Sequence, residues 1–479
     1  MAFTSFEFVV FFGVVLLIRS GLRSFILEKL FLLLASYVFY VSWSVSLIGV
    51  LLFISIVDYT IARRMGETTD DRRRRALLFT SIAANVTILT AFKYANFIVG
   101  NVAAGLNAAG LLIDTPTWSL ALPPGISYFT FTSISYVVDV YYERVEHCRR
   151  PLDYALYLAY FPKLLAGPIV RAGNFLPQIQ GRVRATILDV ETGLACVLSG
   201  LVKKLVISDQ IQGQVDLILS RPGQYDALTL LQGLVGYGIQ IYCDFSGYSD
   251  MAIGCARIMG FSLPNNFQCP YSATSISEFW RRWHISLSEW LRDYVFVPLE
   301  LATRTTHSAT IRSTTNLMAT MLLCGIWHGA GWNYLMWGGV HGTALGVERA
   351  WTKWDPWNGS VARSGSLLFA RNVLSRLLTL GVVFLAWTFF RMPTVGDAAV
   401  FLSRLLTWTQ DGTRLWSPLI LLAVAGFVAV HLIVAKDSNW VEDLPRWSMP
   451  ARVATFSSLL TLIVFLGATD AVPFIYFQF

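Results

Sequence analysis

The stretch Phe25-Ile26-Leu27-Glu28-Lys29-Leu30-Phe31-Leu32-Leu33-Leu34-Ala35-Ser36-Tyr37-Val38-Phe39-Tyr40-Val41-Ser42-Trp43 decides the fold class. After Glu28 and Lys29 it carries no charge, and it ends in tyrosine and tryptophan. A helix that crosses a bilayer needs about 20 mostly apolar residues, with aromatic rings at the interfaces. Similar runs flank it at residues 6–18, continuing toward 22 despite Arg19, and at 47–62. Others recur near the C-terminus at 316–327, 335–347, 374–390, 419–434 and 453–468. Of the 479 residues, 55% are hydrophobic and 14% charged. Soluble domains carry about 25% charged residues. The chain therefore reads as an all-α polytopic integral membrane protein.

The charges set an expected orientation. Arg19, Arg23 and Lys29 follow the first run, and Arg63, Arg64 and Arg72-Arg73-Arg74-Arg75 follow the third. Both groups fall on one side, and the positive-inside rule makes it the cytoplasmic side. The N-terminus is then outside, and so is the tail 470–479. The net charge of +7 suits topology and anionic lipid; no basic, aromatic-interleaved soluble module argues for nucleic acid. The start Met1-Ala2-Phe3-Thr4 lacks a basic leader and a small-residue cleavage site, so it reads as a first span. The six cysteines, Cys148, Cys196, Cys243, Cys255, Cys269 and Cys324, contain no C-x-x-C pair and read as small buried hydrophobes. Neither a zinc site nor any other metal is expected.

The middle is irregular. Pro123-Pro124-Gly125 opens one apolar segment, and Pro162, Gly167-Pro168 and Gly173 interrupt the next. Such breaks are tolerated at membrane depth where backbone packs inside protein or lines a cavity. Short or re-entrant helices around a central cavity are expected here. Residues 278–296 alternate charge with Trp280, Trp283, Leu287, Trp290 and Leu291, as in an interfacial amphipathic helix. Without a linker or a repeat, one domain over 1–479 is the simplest division: N-terminal spans 1–95, a core 96–350, and C-terminal spans with an aromatic tail 351–479.

Ionisable groups near hydrocarbon are functional suspects. His328 closes an apolar run at Gly325-Ile326-Trp327-His328-Gly329-Ala330, where small residues let a substrate hydroxyl approach the ring. His284 sits on the amphipathic segment, with Ser288 one turn on as an available partner. His341, after Trp337-Gly338-Gly339-Val340, is read as packing. Asp244 and Asp250 need partners in an apolar neighbourhood, and Arg281 or Arg292 are candidates. Lys163 either faces a cavity or snorkels. The terminal Phe474-Ile475-Tyr476-Phe477-Gln478-Phe479 exposes apolar surface unless it tucks into a groove. Tyr476 is a possible acyl carrier, its phenol aimed toward His328.

These residues resemble the membrane-bound O-acyltransferases, and within them the alginate O-acetyltransferase branch. The resemblance is carried by Glu278-Phe279-Trp280-Arg281-Arg282-Trp283-His284-Ile285-Ser286-Leu287-Ser288 and Trp290-Leu291-Arg292-Asp293-Tyr294. Pro124-Gly125-Ile126-Ser127-Tyr128-Phe129, Ala166-Gly167-Pro168-Ile169, Asp244-Phe245-Ser246-Gly247-Tyr248-Ser249-Asp250, Asn265-Asn266-Phe267 and the His328 motif add to it. The resemblance implies a helical bundle around a transmembrane tunnel, with His328 as signature histidine and His284 as the second. It implies acetyl-CoA as cytoplasmic donor, with no tightly bound cofactor. It also implies a periplasmic or extracellular partner protein and a cell-envelope polysaccharide as acceptor, in a bacterial inner membrane. A separate subunit of the related teichoic-acid D-alanylation system ends in a tail like this one. Arg281, Arg282, Asn266 and Asp244 are donor-binding or structural candidates. One departure is Glu300-Leu301-Ala302-Thr303-Arg304-Thr305-Thr306-His307, where the branch carries a Gly-Gly-Asn-Arg-like turn; this puts alginate itself in doubt as the glycan. A polysaccharide or lipid transporter, and an acyltransferase of this fold acting on lipid or protein, stay open as alternatives.

Overall fold

The computed structural model describes residues 1–111, 113–114, 118, 121–304, 308–354, 365–433, 439–469 and 472–475. It is built of helices: α1 Phe6–Gly21, α2 Phe25–Val41, α3 Ile48–Gly66, α4 Asp71–Leu89, α5 Ala95–Ala108, α6 Ile126–Tyr141, α7 Pro151–Ala159 and α8 Phe161–Leu164. There follow α9 Ala172–Gln180, α10 Ile187–Leu201, α11 Asp209–Leu219, α12 Ala227–Ile258, α13 Ile276–Arg282, α14 Ile285–Leu291 and α15 Val297–Ala302. The chain closes with α16 Ala309–His328, α17 Trp332–Trp354, α18 Gly365–Arg391, α19 Val395–Leu406, α20 Pro418–Ile433, α21 Trp440–Asp443 and α22 Met449–Leu466. The backbone packs as two units, Met1–Val197 with Tyr248–Pro264, and Leu198–Gly247 with Asn265–Phe479.

The expected runs are helices, and their ends follow from local chemistry. Ser5, Ser24 and Asp70 cap α1, α2 and α4 by accepting from backbone N–H groups of the first turn. One reading changes. The arginine run is not a loop: Arg72–Arg75 lie in the opening turns of α4, four residues after α3 ends. α4 and α5 join through a π-helical turn, Thr90–Tyr94, into one apolar span, Asp71–Ala108. Ser366–Arg391 and Met449–Leu466 are likewise long and apolar enough to cross a membrane. No side chain of α22 is buried, and Val464 and Phe465 stand in the open. Apolar surface of this extent requires lipid around it.

In the first unit, Asp58 on α3 is a buried hub. It accepts from Ser81 Oγ at 2.5 Å and Asn85 Nδ2 at 2.7 Å, both on α4, and from Ser133 Oγ on α6. Tyr154 on α7 extends the network to Ser133 at 2.8 Å. Four helices are thereby fixed in register by one carboxylate. Asp58→Ala removes the acceptor that three buried donors share and destabilises the protein by about 3 kcal/mol, while Asp58→Asn, which keeps an acceptor oxygen, costs less. Thermal unfolding in detergent separates the two.

The Gly/Pro breaks behave as expected. Pro123-Pro124-Gly125 makes a turn in which Gly125 has φ +73°, and a Cβ there would lie 2.6 Å from the Leu164 carbonyl oxygen. Only glycine allows both the conformation and the approach. Its neighbour is the interrupted stretch α7–α8–α9, three short helices broken at Tyr160 and after Leu164. Lys163, on α8, is buried with its ammonium over the rings of Tyr157 at 4.7 Å and Phe175 at 5.9 Å.

Candidate active site

All residues of the site belong to the second unit. α16 and α17 form an antiparallel hairpin. The helices come so close that a Cβ at Gly338 would strike the Met321 carbonyl oxygen, and one at Gly325 the Tyr334 carbonyl oxygen. The hairpin turn at Gly329 leaves His328 as the last residue of α16. Its ring is buried edge-on among Trp327 (4.8 Å between centroids), Trp337 (4.8 Å) and Phe390 (5.1 Å).

His284 is placed by a different device. The expected amphipathic helix over 278–296 is broken in two, α13 and α14, and His284 is the break, with φ +43°. A non-glycine residue in the left-handed region is uncommon and often marks a functional constraint. The kink turns the histidine inward: its side chain is fully buried, as are Trp283 and Leu287. The segment therefore packs into protein along this face. Arg281 remains exposed, while Arg282 donates to Glu278 at 3.1 Å and to the Gln268 carbonyl oxygen at 3.1 Å.

Asn266, not Ser288, holds the His284 ring. Ser288 Oγ donates to the backbone carbonyls of Trp283 and His284. Asn266 Oδ1 lies 3.1 Å from His284 Nδ1 and also accepts from Ser286 N at 3.2 Å and Ser286 Oγ at 2.9 Å. A backbone N–H can only donate, so the amide orientation is fixed with its oxygen toward the histidine. Nδ1 must then carry the proton, and Nε2 the lone pair. Asn266→Ala removes that control and lowers turnover by roughly tenfold, the worth of one good hydrogen bond. Asn266→Asp keeps the acceptor and retains more activity in the same steady-state assay.

The two histidines share a neighbour. The indole of Trp327 lies 6.1 Å from the His284 ring and 4.8 Å from the His328 ring. On its other side His284 meets Phe245 edge-on at 4.7 Å. Phe245 also contacts Phe474 of the tail at 5.7 Å. The preceding residue, Asp244, does not pair with Arg281 or Arg292. It binds Lys204 Nζ at 2.7 Å and accepts the Ile475 backbone N–H at 2.7 Å. Lys204 sits on a π-helical turn, Val202–Ser208, and also binds Asp209 at 2.8 Å. Phe474 and Ile475 are buried, so this part of the tail is tucked in as expected. Tyr476 and His307 lie outside the described residues.

Sequence reading named His328, His284, Asn266 and Asp244, and the structure brings all four into one connected cluster. It did not name Trp327, Phe245 or Lys204. Two of these stand directly beside named residues, so adjacency to a suspect was the only available signal; Lys204 had none.

The chain is similar to proteins of known family. Residues 17–357 match the membrane-bound O-acyltransferase family. The probable alginate O-acetylase of Pseudomonas syringae pv. tomato is 34% identical over 94% of this chain and 95% of its own length. The peptidoglycan O-acetyltransferase of Helicobacter pylori is 32% identical over 80% of this chain and 74% of its own. A teichoic acid D-alanyltransferase from Streptococcus thermophilus is 31% identical over 48% of this chain and 57% of its own. With its buried histidine pair, its apolar spans and these relatives, the chain belongs to the membrane-bound O-acyltransferase family and is a polytopic membrane O-acyltransferase.

Proposed function

We propose that this enzyme moves an acetyl group from cytoplasmic acetyl-CoA to hydroxyl groups of a cell-envelope polysaccharide on the outer face of a bacterial inner membrane. The relatives named for alginate, peptidoglycan and teichoic acid all act on envelope polymers, which supports that class of acceptor. The +7 net charge and the arginines at the α3–α4 turn support a cytoplasmic face there, with both termini outside.

The chemistry needs a base, a tautomer-fixed helper and a positioned acceptor. His328 takes the proton of the attacking hydroxyl as its oxygen bonds to the thioester carbonyl carbon. The carbon–sulfur bond breaks, and the imidazolium returns its proton to the departing thiolate. His284, its ring held by Asn266, positions the thioester beside Trp327. The first acceptor is the phenol of Tyr476, and a periplasmic or extracellular partner protein passes the acetyl group on to the glycan. The carrying observation is the hydrogen bond from Ile475, the residue before Tyr476, to Asp244, whose neighbour Phe245 lies against His284. Arg281, exposed at the end of α13, suits the CoA phosphates.

The test is direct. Purified protein is incubated with carbonyl-labelled acetyl-CoA, quenched and digested. Label should reside on the peptide containing Tyr476, and should chase into envelope polysaccharide once an envelope extract that supplies the partner protein is added. Label that reaches the polysaccharide without ever appearing on the tail refutes the carrier step; no transfer from acetyl-CoA at all refutes the donor.

A further inference from the structure

His341, read from sequence as packing, occupies an unusual environment. It is completely buried, and neither ring nitrogen has a hydrogen-bond partner among the described residues. Its walls are aromatic: Trp337 at 4.9 Å, Trp280 at 5.1 Å, and Phe279 stacked in parallel at 6.1 Å. The indole Nε1 atoms of Trp280 and Trp337 likewise have no partner. Four buried polar atoms therefore collect in one cluster of touching rings. Trp337, one turn before His341 on α17, is the same indole that meets His328 edge-on at 4.8 Å.

A buried polar group left unpaired is costly, and such groups in folded proteins call for an explanation. Phenylalanine would pack against these three rings without that cost. A neutral imidazole offers one donor and one acceptor, and each indole offers one donor. The complementary ligand is uncharged and carries more carbonyl oxygens than N–H groups, with at least one of each. A phosphate or carboxylate is a poor match, since no cationic side chain is among the cage rings. A chain of secondary amides ending in a thioester carbonyl has this pattern.

We propose that His341, Trp280 and Trp337 form a binding cage for the amide-bearing arm of the acyl thioester, next to the base that His328 supplies. Carbonyl oxygens of the arm accept from the indoles and the imidazole N–H, and an amide N–H donates to the imidazole lone pair. This rests on the acetyl-CoA reading of the donor, and the experiment keeps the two apart.

Steady-state kinetics of full-length protein are compared for acetyl-CoA and for S-acetyl-2-mercaptoethanol, an acetyl thioester that has no amide. His341→Phe should raise KM for acetyl-CoA by about tenfold with kcat within about twofold, and leave the amide-free thioester unaffected. Its melting temperature should be no lower than that of wild type. An equal loss with both thioesters would make His341 a mere support for Trp337, and an unchanged KM for acetyl-CoA would show that the cage takes no amide; either overturns the inference. Wild-type protein that turns over neither thioester removes the donor reading instead, and the inference with it. If His341→Phe fails to fold, Trp280→Phe removes one cage donor and carries the same comparison.

Discussion

His328→Ala lowers acyl transfer by roughly 10²- to 10⁴-fold, the usual range for loss of a positioned general base. The ring stands at the end of α16, in contact with two indoles and Phe390. Nothing else on that turn can take a proton: Trp327 and Gly329 flank it, and Ala330 and Gly331 follow. The imidazole also fills space, so alanine leaves a cavity that costs about 1–3 kcal/mol of stability. His328→Gln is the control, since it fills more of the volume and hydrogen-bonds but does not act as a base near neutral pH. Both variants should elute as folded protein and bind detergent as wild type does. Both should fail to transfer label from acetyl-CoA. Wild-type turnover in either folded variant would remove His328 from the chemistry and leave His284, with its fixed Nε2 lone pair, as the base.

The expectation for His284 illustrates how far sequence carries. Its helical spacing with Trp280, Leu287 and Trp290 fits one amphipathic helix, and on that reading the histidine lies at an interface. The structure has a left-handed residue at that position, so the helix stops and restarts. Periodicity cannot report one positive φ, because it records which residues are apolar and not where the axis turns. The partner was misread for the same reason. Ser288 is one turn away on an unbroken helix, whereas Asn266 is 18 residues distant and reaches the ring only because residues 266–268 run alongside 282–285, joined by Gln268 N–H to the Arg282 carbonyl and Ile285 N–H to the Asn266 carbonyl. Apolar runs were legible because burial in lipid is a composition effect. The Asp244–Lys204 pair was not, because it joins a carboxylate on α12 to a lysine 40 residues earlier on a π-helical turn. The arginine run shows the intermediate case: its charge pointed to one side of the membrane, but it opens a helix instead of lying in a loop.

Tyr476→Phe should abolish acetylation of the polysaccharide while leaving the donor half of the reaction in place. The substitution removes a single oxygen. Phe474 and Ile475 keep their positions, because one is held through ring contact with Phe245 and the other through its backbone N–H to Asp244, and neither contact involves the phenol. Water remains as the only acceptor, so slow hydrolysis of acetyl-CoA should persist at a small fraction of the wild-type rate, and the tail peptide should carry no label. Asp244→Ala gives the complementary case. It keeps the phenol but removes the acceptor that holds Ile475 and leaves Lys204 with Asp209 alone. Labelling of the tail should then fall without vanishing. If Tyr476→Phe acetylates polysaccharide at the wild-type rate, the acetyl group passes directly from thioester to glycan. The buried contacts of Phe474 and Ile475 would then serve only to pack the tail against Asp244 and Phe245 of α12.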